Sequence, residues 1–211
     1  MLLTVVDYGV GNLRSIAKSI EKANFNNNLN YSVKVSSDIS DVKKSDKIVL
    51  PGQGSFKACK AGIDNIKGLQ TELNESVLIK KKPIYGICAG MQLFATRGHE
   101  ERTTQGLNWI PGEVNKLDLG VSKLKIPHMG WNELKIKNSS KVFQDINKND
   151  HAYFIHSYEF IPEDKTVISL TSNYGKEVMA AVSLENIFGS QFHPEKSQIT
   201  GIKILTSFLN L

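Results

Sequence analysis

Short apolar runs alternate with amphipathic stretches from the start of the chain to residue 96, and this pattern constrains the fold more than any other feature. "LLTVVDY" reads as a strand and "NLRSIAKSIEKAN" as an amphipathic helix. The Asn-rich "NFNNNLN" (24–30) is a loop, "YSVKVS" a strand, "DISDVKKS" a short helix capped by Asp38, and "DKIVLPG" a buried strand. Helical material fills 55 to 82, followed by a strand over 83–87 and a helix over 89–96. Buried strands that alternate with helices pair in parallel, because a parallel neighbour needs a crossover connection. The predicted fold class is α/β: a doubly wound, mixed but mostly parallel sheet with helices on both faces. From about residue 113 the pattern changes to strands and turns: "GEVNKLD", "WNELKIK", "AYFIHSYEF", "TVISLTS" and "EVMAAVSLENIFGSQF". These suggest an antiparallel extension of the same sheet, and "SQITGIKILTSFLNL" a final helix. With no internal repeat, low-complexity linker or boundary, residues 1–211 are expected to form a single domain.

Composition narrows the setting. Two cysteines without a pairing pattern suit a reducing compartment, where a thiol stays free. "MLLTVV" is too short for a signal peptide, and no apolar run approaches a membrane span, so a cytoplasmic protein without membrane attachment is expected. The net charge of +5 and pI of about 9.1 raise the question of nucleic acid. The lysines are scattered, however, and runs such as "IKKK" (79–82) carry no interleaved aromatics. Such runs read as solvated faces, and no nucleic-acid partner is expected.

A doubly wound sheet binds its ligand outside the carboxyl ends of its strands, and the reactive residues fall at those ends. "GICAG" places Cys88 between Gly86 and Gly90, on a turn from strand to helix. That is a cysteine version of the nucleophile elbow, in which small neighbours permit a sharp, strained turn. The positive end of the following helix favours a thiolate. "PGQGSF" (51–56) also follows a buried strand, and its backbone could offer N–H groups to an oxyanion. "DYGVGN" (7–12) lacks the third glycine of a dinucleotide fingerprint and the Gly-Lys-Ser/Thr of a P-loop, so nucleotide binding is rejected there. Among the histidines, His151 and His156 stand at odd spacing in one strand and face opposite ways, which argues against a shared metal. "GSQFHPEKS" sets His193 after an apolar strand with Glu195 two residues on. A carboxylate there can orient the imidazole and stabilise its charged form, so Cys88, His193 and Glu195 make a candidate nucleophile, base and orienter.

"GICAGMQLF", "QFHPEKS" and "LPGQGSF" together resemble the class I (triad) glutamine amidotransferases. "DYGVGNLRSI", "QGLNWIPGEV", "IPHMGWNEL" and "YFIHSYEF" are similar to the glutaminase subunits of imidazole glycerol phosphate synthase, in histidine biosynthesis. The resemblance covers nearly the whole chain in order. It implies that Cys88 attacks the carboxamide of L-glutamine, His193 protonates the leaving ammonia and Glu195 holds His193. It implies glutamine binding by Gln92, Glu100 and the backbone at Ser157 and Tyr158. The oxyanion hole would use the Ala89 N–H and an N–H from the segment Gly52, Gln53 and Gly54. Gln53 stands where many relatives have valine, and Ala89 where many have leucine.

The partner implied is a cyclase subunit with a (β/α)₈ barrel, which receives the ammonia through a channel in a heterodimer. Asn12, Trp131 and Lys196 would lie at that interface. Trp131 would read as core without the resemblance. No metal or organic cofactor is implied. A paralogue that supplies ammonia for amidino groups on surface sugars would share the triad and is the alternative.

Overall fold

The computed structural model describes residues 1–211. Its first half alternates as the sequence predicts: β1 (Leu2–Val6), α1 (Leu13–Asn26), β2 (Ser32–Ser36), α2 (Ile39–Lys44), β3 (Lys47–Leu50), α3 (Phe56–Asn65), α4 (Leu69–Asn74) and β4 (Ile84–Ile87). A one-turn helix, α5 (Ala89–Gln92), follows, then short β5 (Arg97–Gly98) and β6 (Thr104–Gln105). The second half holds β7 (Gly112–Lys116), β8 (His128–Glu133), β9 (Lys135–Ile136), β10 (His151–His156) and β11 (Tyr158–Pro162). β12 (Ile168–Asn173), β13 (Glu177–Leu184), β14 (Ile187–Ser190) and α6 (Gln198–Leu209) complete the chain.

Local chemistry sets the helix starts. The Asp38 carboxylate accepts the Ser40 N–H at 2.8 Å, the cap read from the sequence. Ser55 caps α3 through the Ala58 N–H at 3.2 Å, and Asn12 caps α1 through the Ser15 N–H at 3.3 Å. On α1, Ile16, Ala17, Ile20 and Ala23 form the buried stripe that holds it to the sheet. No helix is long and apolar enough to cross a membrane.

The main sheet has the order β2-β1-β3-β4-β14-β13-β12-β9. From β2 to β14 neighbours are parallel; β13, β12 and β9 continue it antiparallel. Its strands divide their side chains between two cores. Ile84 packs on one side with Phe56, Ile63 and Leu73, while Tyr85 and Ile87 pack on the other with Ile16, Ile20 and Phe208. The mixed, doubly wound sheet is the one predicted.

Three sequence expectations need correction. The later strands do not all extend the main sheet: β11-β7-β5-β6 form a separate sheet, and β8 pairs only with β10. Alternation along a strand records which residues are buried, not which strand lies alongside. Val114 and Phe160 feed one core and Ala152 and Phe154 the other, so two small sheets satisfy the same pattern. "EVMAAVSLENIFGSQF" is two strands, turned at Glu185 with φ +52°, and its second half lies parallel to β4. The helix expected over 89–96 keeps only α5, because N–H groups of the 107–109 segment take the carbonyls that would have continued it. Leu107 donates to Leu93 at 2.7 Å, Trp109 to Phe94 at 2.8 Å and Asn108 to Ala95 at 3.0 Å.

Candidate active site

Cys88 links β4 to α5 with φ +53° and ψ −116°, a conformation that residues with a Cβ rarely adopt. Contacts on both sides hold the strain. The Cys88 N–H donates to the Ser190 carbonyl at 2.8 Å, and its own carbonyl accepts the Gln92 N–H at 3.1 Å. The nearby glycines are there for close approach. A Cβ on Gly90 would stand 2.1 Å from the Leu50 carbonyl oxygen, and one on Gly52 would stand 1.9 Å from the Gly90 nitrogen. The "PGQG" backbone and the elbow therefore touch main chain to main chain.

Because β14 is parallel to β4, it delivers Gln191, His193 and Glu195 to the same carboxyl edge as Cys88. His193 Nδ1 lies 2.7 Å from Glu195 Oε1, and both side chains are buried. Glu195 Oε2 is buried with no partner, so the carboxylate's hydrogen bonding is directed at His193. Burial works against a charge on His193. Cys88 and Glu195 beside it outweigh burial, and the pKa rises from 6.5 to about 10. A charged imidazole at neutral pH is the form that can protonate a leaving amine. Gln191 Nε2 approaches Cys88 Sγ at 3.6 Å.

Cys88 and His193 open on a cleft of about 310 Å³ lined also by Gln53, Gly54, Ala89, Gln92, Glu100, Ser157, Tyr158 and Lys196. That volume suits a small molecule such as one amino acid. Gln92 Nε2 donates to the Tyr158 carbonyl at 3.0 Å and to Gln191 Oε1 at 2.9 Å. Glu100 Oε2 accepts the Phe56 N–H at 2.8 Å at the start of α3. Cys59, the other cysteine, is also free, and burial pushes its thiol up to about 11.

Comparison with known proteins identifies the family. A family described as "Glutamine amidotransferase class-I" matches residues 4–210. The chain belongs to the class-I glutamine amidotransferases. It is 49% identical to the imidazole glycerol phosphate synthase subunit HisH of Pelagibacter ubique (strain HTCC1062), with all of both chains covered. The HisH of Brucella suis biovar 1 (strain 1330) is 41% identical, covering 99% of this chain and 98% of that one. Among solved structures, a glutamine amidotransferase superposes with a TM-score of 0.73 at 14% identity, covering 99% of each chain. A glutamine amidotransferase from Thermotoga maritima superposes with a TM-score of 0.64 at 16% identity, covering 92% of this chain and 76% of that one. The two structures speak for the fold.

On this amidotransferase scaffold, all the triad and substrate-binding candidates gather around one cleft except Glu195, which reaches it through His193. Gly52 sits behind the cleft against Gly90. Of the interface candidates, Lys196 lines the cleft, with its Nζ 5.5 Å from the centre of the Tyr153 ring. Trp131 meets the same ring edge-on at 6.1 Å and is 49% exposed, so it is not core. Asn12 serves as the cap of α1. Sequence reasoning missed Gln191 and treated His156 only as a metal candidate, although His156 lines the cleft. Gln191 stands just past the end of β14, where the chain bends on its way to His193, so its approach to Cys88 depends on the folded backbone and has no clear signal in the sequence.

Proposed function

We propose that this chain is the glutaminase subunit of an imidazole glycerol phosphate synthase, acting as one cytoplasmic domain in a heterodimer with a (β/α)₈ cyclase. The observation that carries the reading is end-to-end identity of 49% to a protein of that name. The amidino-sugar alternative is not favoured, since the Pelagibacter and Brucella relatives share the synthase name.

In this reading Cys88 Sγ attacks the carboxamide carbon of L-glutamine, and the carbonyl oxygen takes up the negative charge. The Ala89 N–H and an N–H from Gly52, Gln53 or Gly54 receive that oxyanion. His193, charged beside Glu195, gives its proton to the departing nitrogen, and ammonia leaves a γ-glutamyl thioester. Neutral His193 then takes a proton from water, which attacks the thioester; glutamate and free thiolate remain. Gln92, Glu100 and the backbone at Ser157 and Tyr158 hold the amino-acid end. Glu100 Oε1 is free to face the α-ammonium, because Oε2 is held by Phe56. Ammonia passes to the cyclase, which makes imidazole glycerol phosphate and an aminoimidazole carboxamide ribotide.

Complementation tests the assignment. Expressed in a strain that lacks its histidine-pathway glutaminase, together with a matching cyclase, the chain should restore growth without histidine. Stable expression of both proteins with no growth would refute the reading.

A further inference from the structure

Two buried histidines, His128 and His156, take no part in the chemistry above. They face each other in the register of β8 and β10, with His128 Nδ1 3.0 Å from His156 Nε2. The other nitrogen of each has a partner that fixes the direction of the bonds. His156 Nδ1 lies 2.9 Å from the Tyr158 carbonyl, which can only accept, so Nδ1 carries the proton. His156 Nε2 is then an acceptor, and His128 must donate from Nδ1. His128 Nε2 is left to accept from Asn132 Nδ2 at 3.2 Å. Asn132 cannot be turned over, because its Oδ1 takes the Glu133 N–H at 2.9 Å and its Nδ2 also donates to the Asn173 carbonyl at 2.8 Å. The chain of donors therefore runs one way, from Asn132 through His128 and His156 to Tyr158.

The surroundings hold it still. The His128 ring is sandwiched between Phe154, 4.5 Å away at 15°, and Tyr174, 4.0 Å away at 18°. Burial pushes both imidazoles down to about 4, and the neutral state is the one this donor order requires. The end point lies in the cleft. The Tyr158 carbonyl accepts from both His156 and Gln92, at Ser157–Tyr158, where the chain leaves the β8–β10 pair for the sheet of β7. No ladder partner fixes this carbonyl, so side chains must.

We propose that Asn132, His128 and His156 form a positioning relay in which each member sets the tautomer of the next, so that His156 holds the Tyr158 carbonyl and with it the Gln92 amide in the glutamine pocket. The proposal rests on the glutaminase reading for its substrate. If His156 changes to the Nε2–H tautomer, its bare Nδ1 faces the Tyr158 carbonyl, acceptor against acceptor, and the carbonyl is released. His156 and His128 are positioning residues, not catalytic ones.

Two measurements test it. Proton–nitrogen correlation spectra of the ¹⁵N-histidine-labelled full chain read tautomers directly and do not depend on any substrate. Both histidines should be neutral Nδ1–H tautomers, and Asn132→Ala should move both toward Nε2–H. Wild-type His156 in the Nε2–H form, or no change in Asn132→Ala, overturns the relay. The second measurement is glutamine hydrolysis by the full chain with its cyclase. His156→Leu should raise KM about tenfold or more while kcat changes less than about threefold, the mark of lost ground-state binding. His156→Asn, whose Nδ2 can stand where Nδ1–H stood, should recover to within about threefold of wild-type KM. Unchanged KM in His156→Leu, or equal damage in both variants, overturns the proposal. If His156→Leu fails to fold, the spectra of Asn132→Ala still decide. A wild-type complex that hydrolyses no glutamine would sink the glutaminase reading, with the relay judged separately by its tautomers.

Discussion

Glu195 and Cys88 pull His193 in the same direction, and this makes the carboxylate's contribution separable from its shape. Glu195→Gln keeps the side chain in place but removes the charge opposite His193 Nδ1. We expect kcat/KM for glutamine to fall on the order of tens- to thousands-fold. NMR titration should show the His193 pKa, raised to about 10 in the native protein, moving down in the variant. The sign of the linked stability follows. A folded pKa above the ordinary 6.5 stabilises the fold fully below pH 6.5, and that contribution is lost as pH rises toward 10. The gap in melting temperature between wild type and Glu195→Gln should therefore be widest near pH 6 and narrow toward pH 10. An unchanged kcat/KM would mean that another group orients His193. At this scale the sequence was informative. "GICAG" and "HPEKS" identified the elbow and the His–Glu pair, because their chemistry is local and their spacing short. The His128–His156 contact was not legible, since it depends on the register of β8 against β10, which neither segment encodes alone.

Between elements, the decisive contact is backbone on backbone. Gly90 at the start of α5 abuts the carbonyls that lead from β3 into "PGQG", with Leu50 O 2.1 Å and Pro51 O 2.7 Å from where a Cβ would stand. Gly90→Ala must push the oxyanion segment away, at a cost of about 1–3 kcal/mol or somewhat more. For a chain of this length that is a fall in melting temperature of roughly 2–12 °C, with glutaminase activity lost alongside. A variant with wild-type melting temperature and activity would show that this contact can open freely. The parallel half of the sheet was readable because buried strands separated by helices leave little choice of pairing. The later strands were misplaced because alternation fixes faces and not neighbours. The position of β14 between β4 and β13 could be seen only in three dimensions, although it is what brings His193 to Cys88.

For the whole molecule, the proposed partner surface begins at the rim of the cleft, where Lys196, Tyr153 and Trp131 touch in series. Met129, 61% exposed, lies on the same strand as the half-exposed Trp131. An aromatic anchor of this kind often carries much of an interface's energy. Trp131→Ala should weaken binding of the cyclase by about 1–4 kcal/mol in calorimetric titration and leave the melting temperature of the free chain nearly unchanged. A large loss of thermal stability with unchanged affinity would make Trp131 a structural residue and move the interface elsewhere. In the proposed reaction, Cys88 supplies ammonia to a second active site that can also take it from solution. The most direct measurement is product formation by the Cys88→Ala chain in complex with its cyclase, supplied in turn with glutamine and with ammonium salt. We expect no glutamine-dependent product and near wild-type product from ammonium. Glutamine-dependent turnover by that variant would contradict the account.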